Sequence, residues 1–205
     1  MQPVFYFDFA SPNAYLAWRV LPRIEAETGV QFRKLPVLLG GIFKATGNQA
    51  PMLAFAGIPA KLAYDRREFE RFIARHDLRA FTMNPFFPVN SLQLMRGAVA
   101  AEAEGVFEPY IAAMFRFMWE TPRKMDDPQV FAASLAEAGL PADRLVAQCA
   151  EPAVKEKLAA NTQDAVSHGV FGIPSFLVGD ELFFGKDRLG DVRDELLRHR
   201  QAAGA

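Results

Sequence analysis

An α/β domain interrupted by a long all-helical insertion is the fold class that three features of this chain predict. An aromatic run at Val4 to Phe9 leads straight into an amphipathic helix, and helical periodicity then dominates the middle of the chain. Near the end, two short apolar runs around Gly179-Asp180-Glu181 restore β structure. With 205 residues, 51% hydrophobic and 23% charged, the chain can bury one sizeable core, and its composition argues against disorder.

Val4 to Phe9 is rich in aromatic and β-branched residues and reads as the first strand. The helix after it places Ala14, Ala17, Leu21 and Ile24 on one face and ends at Gly29, a residue suited to a left-handed helix stop. Gln31 to Val37 forms a second strand, and a strand–helix–strand unit of this length predicts a parallel pair with a right-handed crossover. The helix start then lies at the carboxyl end of a buried strand, where open α/β sheets bind ligands.

From about Asp65 to His168 the pattern is helical. Leu92, Met95 and Val99 recur at helical spacing, as do Phe107, Tyr110, Ile111, Met114, Phe115 and Met118, and then Phe131, Leu135 and Ala138. These residues read as a helical core, a few of them alternatively as an apolar wall for a substrate. Ser175 to Val178 and Leu182 to Phe184 form a hairpin, and a closing helix runs from Asp187. Strand–helix–strand, helical insertion, hairpin and helix is the order of a thioredoxin-like fold. Residues 1–50 and 169–205 would make a discontinuous thioredoxin-like domain and 51–168 the helical insertion, with no internal repeat or low-complexity segment.

The 23 basic and 24 acidic residues leave a net charge of −1, so no broad basic footprint points to nucleic acid or an anionic membrane, and a small ligand is expected. A lone cysteine, Cys149, excludes an intramolecular disulfide, a Cys-x-x-Cys couple and a cysteine-rich zinc site, and reads as a small buried hydrophobe near a helix end. His76, His168 and His199 are dispersed without metal-ligand spacing, and no metal is expected. His168 either touches a pocket or ends a helix, where the dipole favours it. The chain opens on a strand pattern rather than a basic, apolar leader, and no run is long enough to cross a bilayer, so a cytoplasmic protein is expected.

Ser11 stands where strand meets helix. In a thioredoxin-like redox protein this junction would carry Cys-x-x-Cys, whereas here it reads Ser11-Pro12-Asn13-Ala14, which makes a disulfide oxidoreductase the weaker rival reading. Serine followed by proline is an ordinary helix start. The same position also suits a bound anion such as a thiolate, because the first N–H groups of a helix lack partners and the dipole favours negative charge. Far downstream, Gly172-Ile173-Pro174-Ser175 opens a strand with a proline that cannot join a ladder, exposing the Ile173 backbone to an extended peptide; a trans proline beginning a strand is the plainer reading.

Six separated motifs stand in order along the chain: Phe7-Asp8-Phe9-Ala10-Ser11-Pro12, Thr46-Gly47-Asn48 with Pro51, Pro59-Ala60-Lys61, Phe87-Pro88-Val89-Asn90-Ser91-Leu92, Phe171-Gly172-Ile173-Pro174 and Phe184-Gly185-Lys186-Asp187-Arg188-Leu189. Together they resemble the 2-hydroxychromene-2-carboxylate isomerases and the kappa-class glutathione transferases. The resemblance implies a thioredoxin-like domain with an inserted helical domain, a cis Ile173–Pro174 bond, a homodimer and glutathione as cofactor. It implies that Ser11 stabilises the glutathione thiolate beside Pro12 and Asn13, and that Ile173 and Pro174 meet the cysteinyl backbone. Asn48 resembles a polar glutathione contact and is equally a turn former. Lys61 would meet the glycyl carboxylate, or is a solvated lysine. Lys186 and Asp187 would take the γ-glutamyl head group, the carboxylate on N–H groups and the ammonium on Asp187, or Asp187 simply caps the last helix.

Two positions depart from the family pattern: Asn13 replaces a common tyrosine, and Lys186 replaces a small polar residue. The implied activity is glutathione-dependent cis–trans isomerisation of a 2-hydroxychromene-2-carboxylate type compound, a small aromatic carboxylate. The alternatives are a kappa-like transferase acting on an electrophile and a non-catalytic thioredoxin-like module that binds peptides at the Pro174 edge.

Overall fold

The computed structural model describes residues 2–204 and builds one four-stranded sheet. Strand β1 (Val4–Phe7) feeds helix α1 (Pro12–Thr28), which returns to β2 (Arg33–Pro36), parallel to β1 with Val4 opposite Arg33 and Phe7 opposite Pro36. Helices α2 (Leu39–Thr46), α3 (Pro51–Ala54) and α4 (Pro59–His76) follow. The insertion continues with α5 (Leu92–Ala103), α6 (Phe107–Trp119), α7 (Pro128–Glu137), α8 (Ala142–Gln148) and α9 (Pro152–Ser167). The chain re-enters the sheet through the hairpin β3 (Ser175–Val178) and β4 (Glu181–Phe184), then passes a 3₁₀ turn at Lys186–Arg188 into α10 (Leu189–Gly204). Sheet order is β2-β1-β3-β4, with β3 antiparallel to both neighbours.

The expected elements fall into place for local reasons. Ala14, Ala17, Leu21 and Ile24 are all buried, and α1 stops where Gly29 turns left-handed and donates to the Glu25 carbonyl at 2.8 Å. The hairpin turns through Gly179 at φ 61°, with Glu181 paired to Val178 as the first residue of β4. The middle of the chain is not continuously helical from Asp65. Helix α4 begins at Pro59, and residues 77–91 are irregular. Pro85 and Pro88 break that segment, and Asn84 holds it by donating to the carbonyls of Met118 and Arg123.

Aromatic rings join sheet and helices in one core. Phe7 and Phe9 of the β1 end lie 5.9 and 4.8 Å, centroid to centroid, from Phe115 on α6, which also meets Tyr15 and Trp18 of α1. Tyr110, Ile111, Met114, Phe115 and Met118 are wholly buried, so this stripe is core and does not wall a pocket. Gly97 on α5 permits the closest approach: a Cβ there would overlap the Tyr110 hydroxyl, which donates to the Leu94 carbonyl at 2.7 Å. Helix α9 is pinned to β2 by Asn161, whose amide donates to the Pro36 carbonyl at 3.1 Å.

Candidate functional site around Ser11 and Pro174

The corner between β1 and α1 is held from several sides. Asp8, fully buried, accepts from the N–H of Ala10 at 2.9 Å with one oxygen and from the N–H of Leu39 at 2.8 Å with the other, and also meets the Ser91 hydroxyl. Burial pushes its carboxyl above the usual carboxylate range, against the opposing pull of these hydrogen bonds. The next residue, Phe9, accepts from the Trp119 indole N–H at 2.9 Å. Helices α2, α5 and α6 thus converge on the three residues preceding Ser11. In the sequence Asp8 stands out only as part of a motif; an acid ending an aromatic strand was the signal, since a buried carboxylate must find donors.

Ser11 caps α1 with extended backbone at φ −93°, and its Oγ accepts from the Ala14 N–H at 3.1 Å. The same hydroxyl donates to the Ile173 carbonyl at 3.2 Å. The helix-cap reading of Ser11 is met, and its hydroxyl proton reaches the loop that precedes Pro174. No acidic residue occupies the first turn of α1, Pro12 lacks an N–H, and the Asn13 N–H donates to no group among the described residues. The helix terminus keeps an unpaired donor and an uncompensated positive end.

Ile173–Pro174 is a cis bond, and Pro174 sits directly before β3. The Ile173 N–H has no hydrogen-bond partner among the described residues, while the Pro174 carbonyl accepts from the Gly185 N–H at 2.9 Å. Ser175 Oγ braces the loop by donating to the Gly172 carbonyl at 2.8 Å. Asn48 reaches the loop from the end of α2, its amide donating to the Phe171 carbonyl at 2.8 Å, and it also forms the local turn by accepting from the Gln49 N–H. Phe171 and Phe184, each 41% exposed, pack beside this loop with ring centroids 4.6 Å apart, and Gly172 leaves the space that Phe184 fills.

Ser11, Pro12, Asn13, Asn48, Ile173, Pro174 and the turn starting at Gly185 are thereby assembled around one loop. Lys61 is engaged elsewhere, paired with Asp65 one turn along α4 and lying 5.0 Å from the Phe55 ring centre. Lys186 points inward: its side chain is 5% exposed, against 61% for Asp187, whose Oδ1 lies 2.6 Å from the Lys186 ammonium. Cys149 ends α8 buried against the Gln93 carbonyl, and burial pushes its thiol up to about 11. His168 ends α9 with Nδ1 2.9 Å from the Asp164 carbonyl, His76 ends α4, and His199 pairs with Glu195. Among the described residues no cluster of three metal-ligating side chains forms, and no helix is long and apolar enough to cross a membrane.

Sheet, cis-proline loop and capped helix define a thioredoxin-fold protein with Ser11 at the start of its first helix. Residues 4–197 match the DSBA-like thioredoxin domain, and the chain belongs to that family. It is 28% identical over 193 residues to the 2-hydroxychromene-2-carboxylate isomerase of Sphingobium xenophagum, covering 94% of this chain and 96% of the relative. It is also 28% identical over 209 residues to glutathione S-transferase kappa 1 of Homo sapiens, covering 95% and 88%. A solved structure of a 2-hydroxychromene-2-carboxylate isomerase aligns with a TM-score of 0.81 at 26% identity, across 100% of this chain and 98% of that one. These relatives are enzymes, and the likeness supports an enzyme within the DSBA-like thioredoxin family.

Proposed function

We propose that this protein is a glutathione-dependent cis–trans isomerase of the 2-hydroxychromene-2-carboxylate type. The observation that carries the reading is the Ser11 hydroxyl set between the N-terminus of α1 and the Ile173 carbonyl. Beside it, the unpartnered Ile173 N–H fits the cysteinyl carbonyl of a peptide lying along the loop. That pairing would bring the cysteinyl sulfur to Ser11 and the Asn13 N–H. A serine hydroxyl has one proton, so Ser11 turns its O–H from Ile173 to the sulfur when the thiolate arrives.

The hydroxyl, the free N–H and the helix dipole all favour the charged sulfur over the thiol and lower its pKa. Glutathione, when bound, supplies a thiolate that adds reversibly to a conjugated carbon, so that a double bond becomes single, rotates and re-forms. The clamp on Asp8 and Phe9 holds Ser11 in place beforehand, which limits reorganisation during the reaction. Asp187 offers a carboxylate to the γ-glutamyl ammonium, and Asn48 offers an amide beside the loop. The exposed faces of Phe171 and Phe184 present an apolar surface to an aromatic second substrate.

Calorimetric titration with reduced glutathione, paired with an ultraviolet difference spectrum for thiolate, tests this first. Saturable binding with a thiolate band at neutral pH supports the reading, and a folded protein that does not bind glutathione overturns it. A kappa-like transferase is the second reading, favoured by the equal identity to the human relative. Conversion of the chromene acid with glutathione present only in catalytic amounts distinguishes isomerisation from conjugation, which consumes glutathione mole for mole.

A further inference from the structure

A lysine that departs from the family pattern lies buried at the head-group end of the site. Lys186 is 4% exposed and its ammonium sits 4.8 Å from the ring centre of Phe72, itself buried on α4. Its ion-pair partner is Asp187, held through Oδ1 at 2.6 Å. A buried ammonium is costly unless it is paired, and an aromatic face adds attraction, so this cation has a defined position. The Asp187 carboxylate is anchored from below as a result, and its Oδ2 accepts no hydrogen bond among the described residues. The backbone of this turn is fixed too, through the Gly185 N–H on the Pro174 carbonyl.

We propose that Lys186 is a positioning residue: from beneath, braced by Phe72, it holds one Asp187 oxygen so that the other faces the ammonium of an α-amino-acid head group. The proposal rests on glutathione as the ligand and assigns Lys186 a role distinct from ligand contact. It also links α4, which makes no other contribution to the loop, to recognition at the far end of the ligand.

Position and charge predict opposite results when Lys186 is neutralised. If Lys186 only adds positive charge, Lys186→Met leaves Asp187 a fuller negative charge and strengthens its preference for an ammonium. If Lys186 positions Asp187, the same substitution lets the carboxylate swing into solvent and the preference falls. The reading is the ratio of dissociation constants for des-amino glutathione, which carries a glutaryl group in place of γ-glutamyl, and glutathione itself, measured by calorimetry.

The wild-type ratio is expected to be about tenfold or more, as one charged hydrogen bond implies, and to fall toward unity in Lys186→Met. Lys186→Gln, whose amide still donates to Asp187, should retain a ratio within about threefold of wild type. Methionine fills the same apolar path, and the Asp187 carboxylate left without its partner is 61% exposed and solvated, so folding is expected to survive. A ratio unchanged or raised in Lys186→Met overturns the proposal, as does a glutamine variant that loses the preference as completely as methionine. If wild type binds both ligands equally, the proposal falls while the glutathione reading stands. If wild type binds neither, the glutathione reading itself fails and takes this proposal with it.

Discussion

The Ser11 hydroxyl donates to the carbonyl of Ile173, 162 residues further along the chain, at 3.2 Å. This bond joins the start of α1 to the loop before β3, and it places the only hydroxyl proton of Ser11 beside the unpaired N–H of the same isoleucine. Replacement by alanine removes the helix cap and this cross-link together. Ser11→Ala should lose about 1–2 kcal/mol of stability in chemical denaturation yet stay folded. Glutathione bound to the variant should show a much weaker thiolate band at neutral pH, and a band of wild-type intensity would remove Ser11 from the chemistry.

Asp8 uses both carboxylate oxygens as acceptors for backbone N–H groups. Asparagine supplies one acceptor and one NH₂, so an N–H of Ala10 or Leu39 would face a donor. Asp8→Asn should therefore destabilise the fold by about 1–3 kcal/mol.

The pH dependence of Asp8 follows from its buried carboxyl, whose pKa lies above that of the unfolded chain. Between the two values the folded protein keeps a proton that the unfolded chain has released. The stability contributed by this group is full below the unfolded value of about 4 and is lost as pH rises through the folded value. Denaturation of wild type and Asp8→Asn at a series of pH values should show the difference between them shrinking from acid toward neutral; a difference that widens would contradict a raised pKa for Asp8 in the folded state.

Cys149 is the one thiol of the chain, and burial pushes it up to about 11. At pH 7 roughly one molecule in ten thousand then carries the thiolate. Native protein should react with a disulfide reagent at least ~100-fold more slowly than free cysteine, and unfolding should abolish the difference. Cys149→Ser should leave the thiolate band of bound glutathione intact.

Gly97 lies under the Tyr110 hydroxyl. A methyl group there forces Tyr110 away from the Leu94 carbonyl inside a closed core, so Gly97→Ala should cost about 2–4 kcal/mol and register as a lowered midpoint in thermal unfolding. Gly57, where an added Cβ meets nothing within 4 Å, provides the control: Gly57→Ala should change stability little.

Much of this architecture was legible in the chain. The period-3.6 face of Ala14, Ala17, Leu21 and Ile24, the stop at Gly29 and the hairpin around Gly179 depend on neighbours a few residues away, and the structure reproduces each. The irregular stretch 77–91 was less legible, because its order comes from Asn84 reaching Met118 and Arg123 on another element. The Phe and Met stripe of α6 read correctly as helical, yet its two possible uses, core or pocket wall, were separated only by finding Phe115 enclosed among Phe7, Phe9, Tyr15 and Trp18.

For the candidate site the division is sharper. Sequence alone determined a serine at a helix start, a proline opening a late strand and the absence of a cysteine pair, because residue type and local spacing suffice for those. Only the tertiary structure decided that Ser11 meets Ile173, that Asp8 ties the β1–α1 corner to the start of α2 and to Ser91 before α5, that Lys61 pairs along its own helix, and that Lys186 lies buried against Phe72. Each of these turns on which groups the fold brings within hydrogen-bond range and on how much water it removes from between them. Neither quantity belongs to a residue by itself, since both come into being when segments distant in the chain pack together.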